Sequence, residues 1–277
     1  MNKVWRILLL SASLVLPAGA AEDPPAPAPG PPPSGEYKLK IELFGVQKVP
    51  VARAELLVRE GVAYQFITEF PEEVTILEPG QDRVHLLDLR RKVRTTVSAP
   101  QIDTGLGQMR QRAAARIDRQ IKAGGRANRV SAAMTRDLFE PQFQTTYVAA
   151  THRLSLTNPT VEIEAVGEPE PDAGRRKTIQ KCLATLAKLD AIREPEEVQP
   201  PFGRLHAYAT IADGYRLRPT EITVLYRLAG TLRRWRWTYE LVPALTHRER
   251  EALSRVDGMR RAAPRIAFPR YEAPETE

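Results

Sequence analysis

The sequence is poor in the residues that carry most protein chemistry. It holds a single cysteine, Cys182, so it cannot form an internal disulfide. Its four histidines (His85, His152, His206 and His247) are scattered, and no closely spaced pair predicts a metal site. The G-x-S-x-G, P-loop, G-x-G-x-x-G and H-E-x-x-H signatures are absent from it. The sequence therefore predicts a protein that is not an enzyme and needs no cofactor or metal.

Long apolar runs are also scarce. After the first residues, no segment reaches the roughly 18 apolar residues of a membrane-spanning helix, so the mature chain is not predicted to span a membrane. Residues 1–20 combine a short positive start (Lys3 and Arg6), a short apolar stretch and the small residues of 17–20. This pattern is typical of a secretory signal peptide, and it predicts a periplasmic or secreted location after cleavage.

Neither sign of charge strongly dominates the chain. It has 41 Lys and Arg residues against 34 Asp and Glu residues, which gives a formal net charge of +7. This small excess predicts either an ordinary solvated surface or weak attraction to acidic surfaces such as lipid head groups. Nucleic acid is not a predicted partner, because the chain is expected to be exported.

Hydrophobic periodicity predicts the secondary structure. Residues 37–97 alternate with period two and carry turn signals about every ten residues, which predicts six strands of an antiparallel meander. An apolar stripe from Ile102 to Ile121 then predicts an amphipathic helix. Strand character returns at 142–166 and at 221–242. Further helices are expected at about 128–139, 179–190 and 205–215, and from Thr246, which forms a predicted capping box with Glu249.

The order of these elements predicts a single α+β domain over residues 36–262. Its expected architecture is a curved antiparallel sheet, an incomplete β-barrel, with helices covering the concave side. Residues 21–35 (AEDPPAPAPGPPPSG) favour polyproline II and predict a disordered spacer, which either holds the domain away from a wall or membrane or is an idle tail. Residues 263–277 are basic and then rich in Pro and Glu, and they are predicted to fray.

An aromatic row is the most distinctive feature of the predicted domain. In the segment RRWRWTYE at 233–240, strand geometry places the two tryptophans and the tyrosine on one side. This row is either packed core or the wall of an apolar cavity, and similar rows occur in two other predicted strands. If the rows face the concave side, they line a lipid-sized pocket, with the helix at 102–121 as either a lid or an ordinary core helix. The candidate ligand-binding residues are Tyr64, Phe66, Tyr226, Trp235, Trp237 and Tyr239.

Two resemblances add to this interpretation. The segments REGVAYQFI at 59–67, EVTILEP at 73–79 and RVHLLDLRRKVRTTV at 83–97, with the helical insert at 101–139, resemble the LolA-type family of periplasmic lipoprotein carriers. That resemblance implies an incomplete antiparallel barrel whose helices close an apolar cavity. The carriers begin with a helix where this chain has its proline-rich segment, and none of their functional residues maps onto it. The element PPFGRL at 200–205 resembles a group of exported bacterial proteins that carries no known activity.

Three functions remain open at this point. The first is a non-catalytic, soluble, exported binding or carrier protein whose partner is a lipid-like or other apolar ligand, or a lipoprotein. The alternative is a structural or interaction component of the cell envelope, with an envelope protein as its partner and a filled interior. The third is an unfamiliar hydrolase, for which acidic residues such as Asp88, Asp103 and Asp137 are present but unpaired in the sequence.

Overall fold

Over most of the described chain, segments whose apolar residues alternate with period two form strands, and segments with an apolar period of 3.6 form helices. The computed structural model describes residues 35–193, 199–228 and 230–273, which belong to one compact unit. The predicted signal peptide at 1–20, and all of the predicted spacer except Gly35, lie outside the described residues. The strands are β1 (Tyr37–Phe44), β2 (Ala52–Arg59), β3 (Val62–Ile67), β4 (Glu73–Glu78), β5 (Arg83–Asp88), β6 (Val93–Ser98), β7 (Gln144–Val148), β8 (Arg153–Thr157), β9 (Val161–Pro169), β10 (Leu217–Leu228) and β11 (Thr231–Val242).

Six α-helices lie in the described ranges. They are α1 (Ala99–Ala123), α2 (Arg126–Phe139), α3 (Ala173–Arg193), α4 (Phe202–Ala209), α5 (His247–Ala262) and α6 (Phe268–Glu272). A short 3₁₀ helix (Ala149–Thr151) follows β7, and a π-helical turn (Thr210–Gly214) continues α4. The predicted capping box is confirmed at the start of α5, where Thr246 and Glu249 each accept a hydrogen bond from the backbone N–H of the other.

All strands belong to one open antiparallel sheet. Its order is β6-β5-β4-β3-β2-β1-β11-β10-β9-β8-β7, so β6 and β7 are the two edges. The predicted α+β class, antiparallel sheet and six-strand meander are therefore confirmed. The first and last strands pair in the middle of the sheet, with Leu39 opposite Leu241. This long-range pairing joins the N-terminal meander to the C-terminal half of the sheet.

The two faces of the sheet carry different cores. On β2, Leu56 and Val58 belong to a large core that also contains residues of α1, α3 and α4. Leu57, between them, points to the opposite face. It belongs to a smaller core formed by β2–β5 and helix α5. Helices therefore lie on both faces of the sheet, and the face that carries α1, α3 and α4 extends across both halves.

Beyond α5, the opposite face is polar. Cross-strand ion pairs follow β1, β2, β11, β10, β9 and β8 there: Lys40–Glu240 at 3.2 Å, Arg53–Glu42 at 3.4 Å, Arg236–Glu221 at 3.4 Å and Arg153–Glu164 at 3.4 Å. Each pair joins exposed or half-buried side chains, as expected for a solvated sheet face. The aromatic row of β11 must then lie on the face of the large core, because its residues alternate with these charges.

The end of the chain departs from the predicted fraying. Of residues 263–277, the structure describes 263–273, and these pack along the edge strand β6. The Arg94 N–H donates to the Pro264 carbonyl at 3.0 Å, and the Ile266 N–H donates to the Arg94 carbonyl at 2.8 Å. Helix α6 then buries Tyr271, whose hydroxyl donates to Glu73 at 2.9 Å. Because this segment is rich in prolines and charges, the sequence did not predict that it would pack on the sheet. Its backbone nevertheless covers part of a sheet edge.

Candidate functional site

The structure divides the six aromatic candidates between the two faces of the sheet. Tyr226, Trp235, Trp237 and Tyr239 all contribute to the large core beneath α3 and α4. Tyr64 and Phe66 instead belong to the smaller core beneath α5, and the Tyr64 hydroxyl donates to Asp257 of that helix at 2.9 Å. Period two shows which residues of one strand share a face, but it does not relate the face of one strand to that of a distant strand. The six residues therefore do not line one common space.

The row on β11 is only partly covered. Trp235 and Trp237 are half-buried, whereas Tyr239 is buried, as is Tyr226, which lies opposite Arg233 on the paired strand β10. In the register of the sheet, Trp237 lies between Ile222 and Leu43. The indole rings therefore offer accessible apolar surface next to a well-packed core.

Helix α4 places two polar side chains over this row. Arg204 and Tyr208 are four residues apart, so both lie on the helix face that meets the sheet. The Tyr208 and Tyr239 hydroxyls are hydrogen-bonded at 2.8 Å, and their rings meet edge to face at 6.5 Å between centroids. The Arg204 guanidinium lies over the Trp237 ring, with Cζ 4.4 Å from the centroid.

Aromatic contacts and a change of helical type hold α4 in place. At its first residue, the Phe202 ring lies 5.9 Å from Phe139 of α2 and 4.1 Å below the guanidinium carbon of Arg110 of α1. At its end, the helix widens into the π-helical turn, whose Ile211 is buried. Such π-helical turns are frequent at functional sites.

Arg204 is a buried cation without an ion pair. It is 9% exposed, and no carboxylate of the described ranges lies within 4.0 Å of its guanidinium nitrogens. Burial alone would lower the pKa of Arg204, but the neighbouring Tyr208 and the Asp190 carboxylate raise it. The side chain is therefore charged at any physiological pH. A buried charge in this position is costly unless something binds it.

Asp190 of α3 combines two properties that rarely occur together. Its side chain is exposed to solvent, yet desolvation by the surrounding protein raises its pKa, and Arg204 and Arg193 only partly offset this. In the part of the chain that the structure describes, its carboxylate has no hydrogen bond or ion pair.

The tyrosines around Arg204 are neutral hydrogen-bonding groups. Burial raises the pKa values of Tyr208, Tyr226 and Tyr239, although Arg204 lowers each of them. Their hydroxyls are therefore protonated at neutral pH. We call the six residues Asp190, Arg204, Tyr208, Tyr226, Trp237 and Tyr239 the Arg204 site. Beside the Asp190 carboxylate, it offers one cation, neutral hydroxyls and an indole face. The cation and hydroxyls suit an anionic group and the indole face an apolar one, whereas Asp190 opposes an anion when it is ionised.

Sequence analysis found the aromatic half of this site and missed the charged half. Arg204 lies in the element PPFGRL, which drew attention only as a resemblance. A usable signal was present, because Arg204 is a lone charge on the helix face that also carries Ala207, Tyr208 and Ile211. Asp190 gave no such signal, since an acidic residue near a helix end is ordinary.

Comparisons with known proteins do not extend this description. No protein-family model matches the chain, and no curated protein is significantly similar to it. Over the described ranges, His, Cys, Asp and Glu side chains form no group of three that could hold a metal ion. No helix there is long and apolar enough to cross a membrane.

Proposed function

We propose that this chain is an exported, non-catalytic binding or carrier protein for a lipid-like amphiphile with an anionic head group. The observation that carries the proposal is Arg204, a buried guanidinium that lies on Trp237 and has no ion-pair partner in the described residues. An anionic head group would complete this pairing, and the half-buried indoles would receive part of its apolar chain. The sequence pattern of residues 1–20 supports export to the periplasm or beyond.

The same proposal includes the architecture of the carrier. Helices α1, α3 and α4 would cover the concave side of a half-barrel-like sheet, as the resemblance to LolA-type carriers implies. The shared core of these helices with the inner residues of both sheet halves supports this arrangement. A ligand would enter beside α4, where Trp235, Trp237 and Leu205 are only half-buried.

A structural or protein-interaction component of the envelope is the second candidate. One observation favours it: Val46, Val49 and Leu232 are 88%, 63% and 64% exposed. Val46 and Val49 lie in the loop between β1 and β2, and Leu232 lies near the start of β11, at the same end of the sheet. A methyl group added at Gly45 of that loop would lie 3.6 Å from the Trp235 ring. Exposed aliphatic side chains close to one another at one end of a sheet are typical of protein contacts.

Lipid extraction separates the two candidates. Protein purified without detergent should release an anionic amphiphile into chloroform–methanol, identified by mass spectrometry. A fluorescent fatty acid should bind the delipidated protein and accept energy from its tryptophans. If no lipid is extracted and the probe does not bind, the carrier proposal is wrong. A protein partner recovered by crosslinking in cells would then favour the envelope component.

Ligand affinity should rise as the pH falls, and Asp190 should be the cause. Its pKa is already raised by desolvation, and an anion bound near Arg204 would raise it further. At a pH between the pKa of Asp190 in the free protein and its pKa in the complex, binding is accompanied by uptake of a proton. Within that pH range, the affinity should increase up to about tenfold for each unit by which the pH falls. An alkyl sulfonate is the appropriate probe, because its head group stays ionised.

The control for this prediction is Asp190→Asn. This variant removes the titrating group, so it should bind the sulfonate more tightly at neutral pH and show a flatter pH profile. The other charged groups close to Asp190 are Glu73, Arg193 and Arg204. Glu73 is bound through both oxygens to Arg193, at 2.6 and 3.0 Å, and is retained in the variant. An unchanged pH profile in Asp190→Asn would assign the dependence to another group.

A further inference from the structure

A recess lies on the face of the sheet opposite the Arg204 site, at the β6 edge. It has a volume of about 550 Å³ and is lined by Arg83, His85, Arg94, Thr96, Ser98, Gln101 and Arg265. Arg83 and His85 alternate along β5 with Val84 and Leu86 of the large core, so they point away from the Arg204 site. The register pairs them with Ser98 and Thr96 of β6. The adjacent strands β5 and β6 therefore present polar side chains near the β6 edge, on the same sheet face that α5 covers farther from this edge.

The lining carries an uncompensated positive charge. Three guanidinium groups reach it from three segments, and no carboxylate lines it. Across the described ranges, Arg83 and Arg265 form no ion pair. Glu78, which contacts the lining residue His85 at 3.2 Å, is already engaged with Arg260 at 2.6 Å, and Asp82, next to Arg83 in the chain, pairs with Lys181 at 2.7 Å. The recess therefore has no internal counter-charge and would attract an anion.

The backbone fixes the positions of these arginines. Residues 264–266 pair with β6 around Arg94, and this pairing sets Arg265 beside Arg94. The Arg94 side chain is held in turn, because its Nε donates to the Ala263 carbonyl at 3.1 Å. His85 is oriented by a contact of 3.0 Å between its Nδ1 and the Thr96 hydroxyl. Arg94 and His85 are therefore held in place before binding, which limits the conformational entropy that these two side chains lose.

We propose that this recess binds a phosphate-bearing anion, with its oxygens held by the guanidinium groups of Arg83, Arg94 and Arg265. Guanidinium groups bind phosphate oxygens in pairs, and three of them around one recess match a doubly charged group better than a single carboxylate. The volume of about 550 Å³ exceeds that of inorganic phosphate, so a phosphate ester with a polar substituent also fits. This site does not depend on the Arg204 site, since it occupies the other face of the sheet.

The test uses the whole mature chain and a double variant. Glycerol 3-phosphate should bind in isothermal titration calorimetry, more weakly as sodium chloride is added. The double variant Arg83→Gln/Arg265→Gln should weaken binding by tenfold or more, because two charge-assisted contacts are lost. Both side chains are exposed and unpaired, so we expect folding to be unaffected. Arg255→Gln, an exposed position on α5 outside the recess, is the matched control and should bind as the parent does.

A second arm distinguishes a soluble phosphate ester from a lipid head group. Phosphatidylcholine vesicles with and without phosphatidic acid are sedimented with the parent chain and with the double variant. Cosedimentation that needs phosphatidic acid and both arginines assigns the site to head groups, whereas binding of glycerol 3-phosphate alone assigns it to a soluble ester. The variant Arg83→Lys/Arg265→Lys keeps the charge and should recover part of the affinity. Failure of both ligands to bind, or equal binding by the Gln double variant, overturns the proposal.

Discussion

Replacing Arg204 with methionine should remove ligand binding and at the same time stabilise the protein. The guanidinium is buried without an ion pair in the described residues, so its desolvation opposes folding. Methionine is flexible, similar in length and apolar, so it should fill the space above the Trp237 ring. A bound anion would lose its cation, which costs about 2–5 kcal/mol, or about 30-fold to about 5,000-fold in affinity. Opposite effects on stability and binding are the mark of a residue retained for function.

The matched control is Arg236→Met. Arg236 also lies over an aromatic ring, with Cζ 4.2 Å from the Phe44 centroid, but it points to the solvated face of the same strand. Its loss should leave binding unchanged and alter stability by about 1 kcal/mol at most. The measurements are probe titration by tryptophan energy transfer and thermal unfolding by circular dichroism.

Two results would contradict the assignment of Arg204. The first is that the methionine variant binds the probe with parental affinity, and the second is that it loses several degrees of thermal stability while binding persists. Either would make Arg204 a structural residue. Arg204→Lys keeps the positive charge with fewer hydrogen-bond donors, so it should retain part of the ligand affinity. This second variant keeps the test decisive if Arg204→Met does not fold.

Local periodicity was sufficient to predict most elements of this fold. The six strands of the meander, helix α1 and the capping box of α5 each depend on residues close in sequence, and all are present. The apolar stripe of α1 was extended too far, because Ile121 is 50% exposed. A stripe indicates one face of a helix, but it does not show how much of that face meets a partner.

The pairing of β1 with β11 and the division of the aromatic rows required the structure. Both depend on contacts between segments far apart in sequence, and alternation carries no information about which strands become neighbours. The same limit explains Arg204 and Asp190, which lie on different helices and influence each other only after folding. The aromatic row was found because its four residues lie on two strands that form a hairpin.

A single methyl group at Gly167 should destabilise the fold strongly. A Cβ at this position of β9 would lie 2.8 Å from the Arg218 carbonyl oxygen and 2.9 Å from the Leu217 Cβ. These atoms belong to β10 or are fixed to its backbone, next to the irregularity between Pro219 and Glu221, so they cannot yield without moving the strand. We expect Gly167→Ala to cost about 1–3 kcal/mol or more, in the range of overpacked cores.

The same substitution should also weaken ligand binding, because Gly167 supports the segment that follows α4. Its Cβ would also lie 2.9 Å from Cδ1 of Ile211, a buried side chain of the π-helical turn, so we expect relief of the clash to alter the packing of the turn that continues α4. Gly107→Ala in α1 is the matched control. Nothing lies within 4 Å of its added methyl group, and it should stabilise by about 1 kcal/mol through helix propensity while binding is unchanged. If urea unfolding ranks the two variants equally, the close approach of β9, β10 and the π-helical turn does not hold in solution.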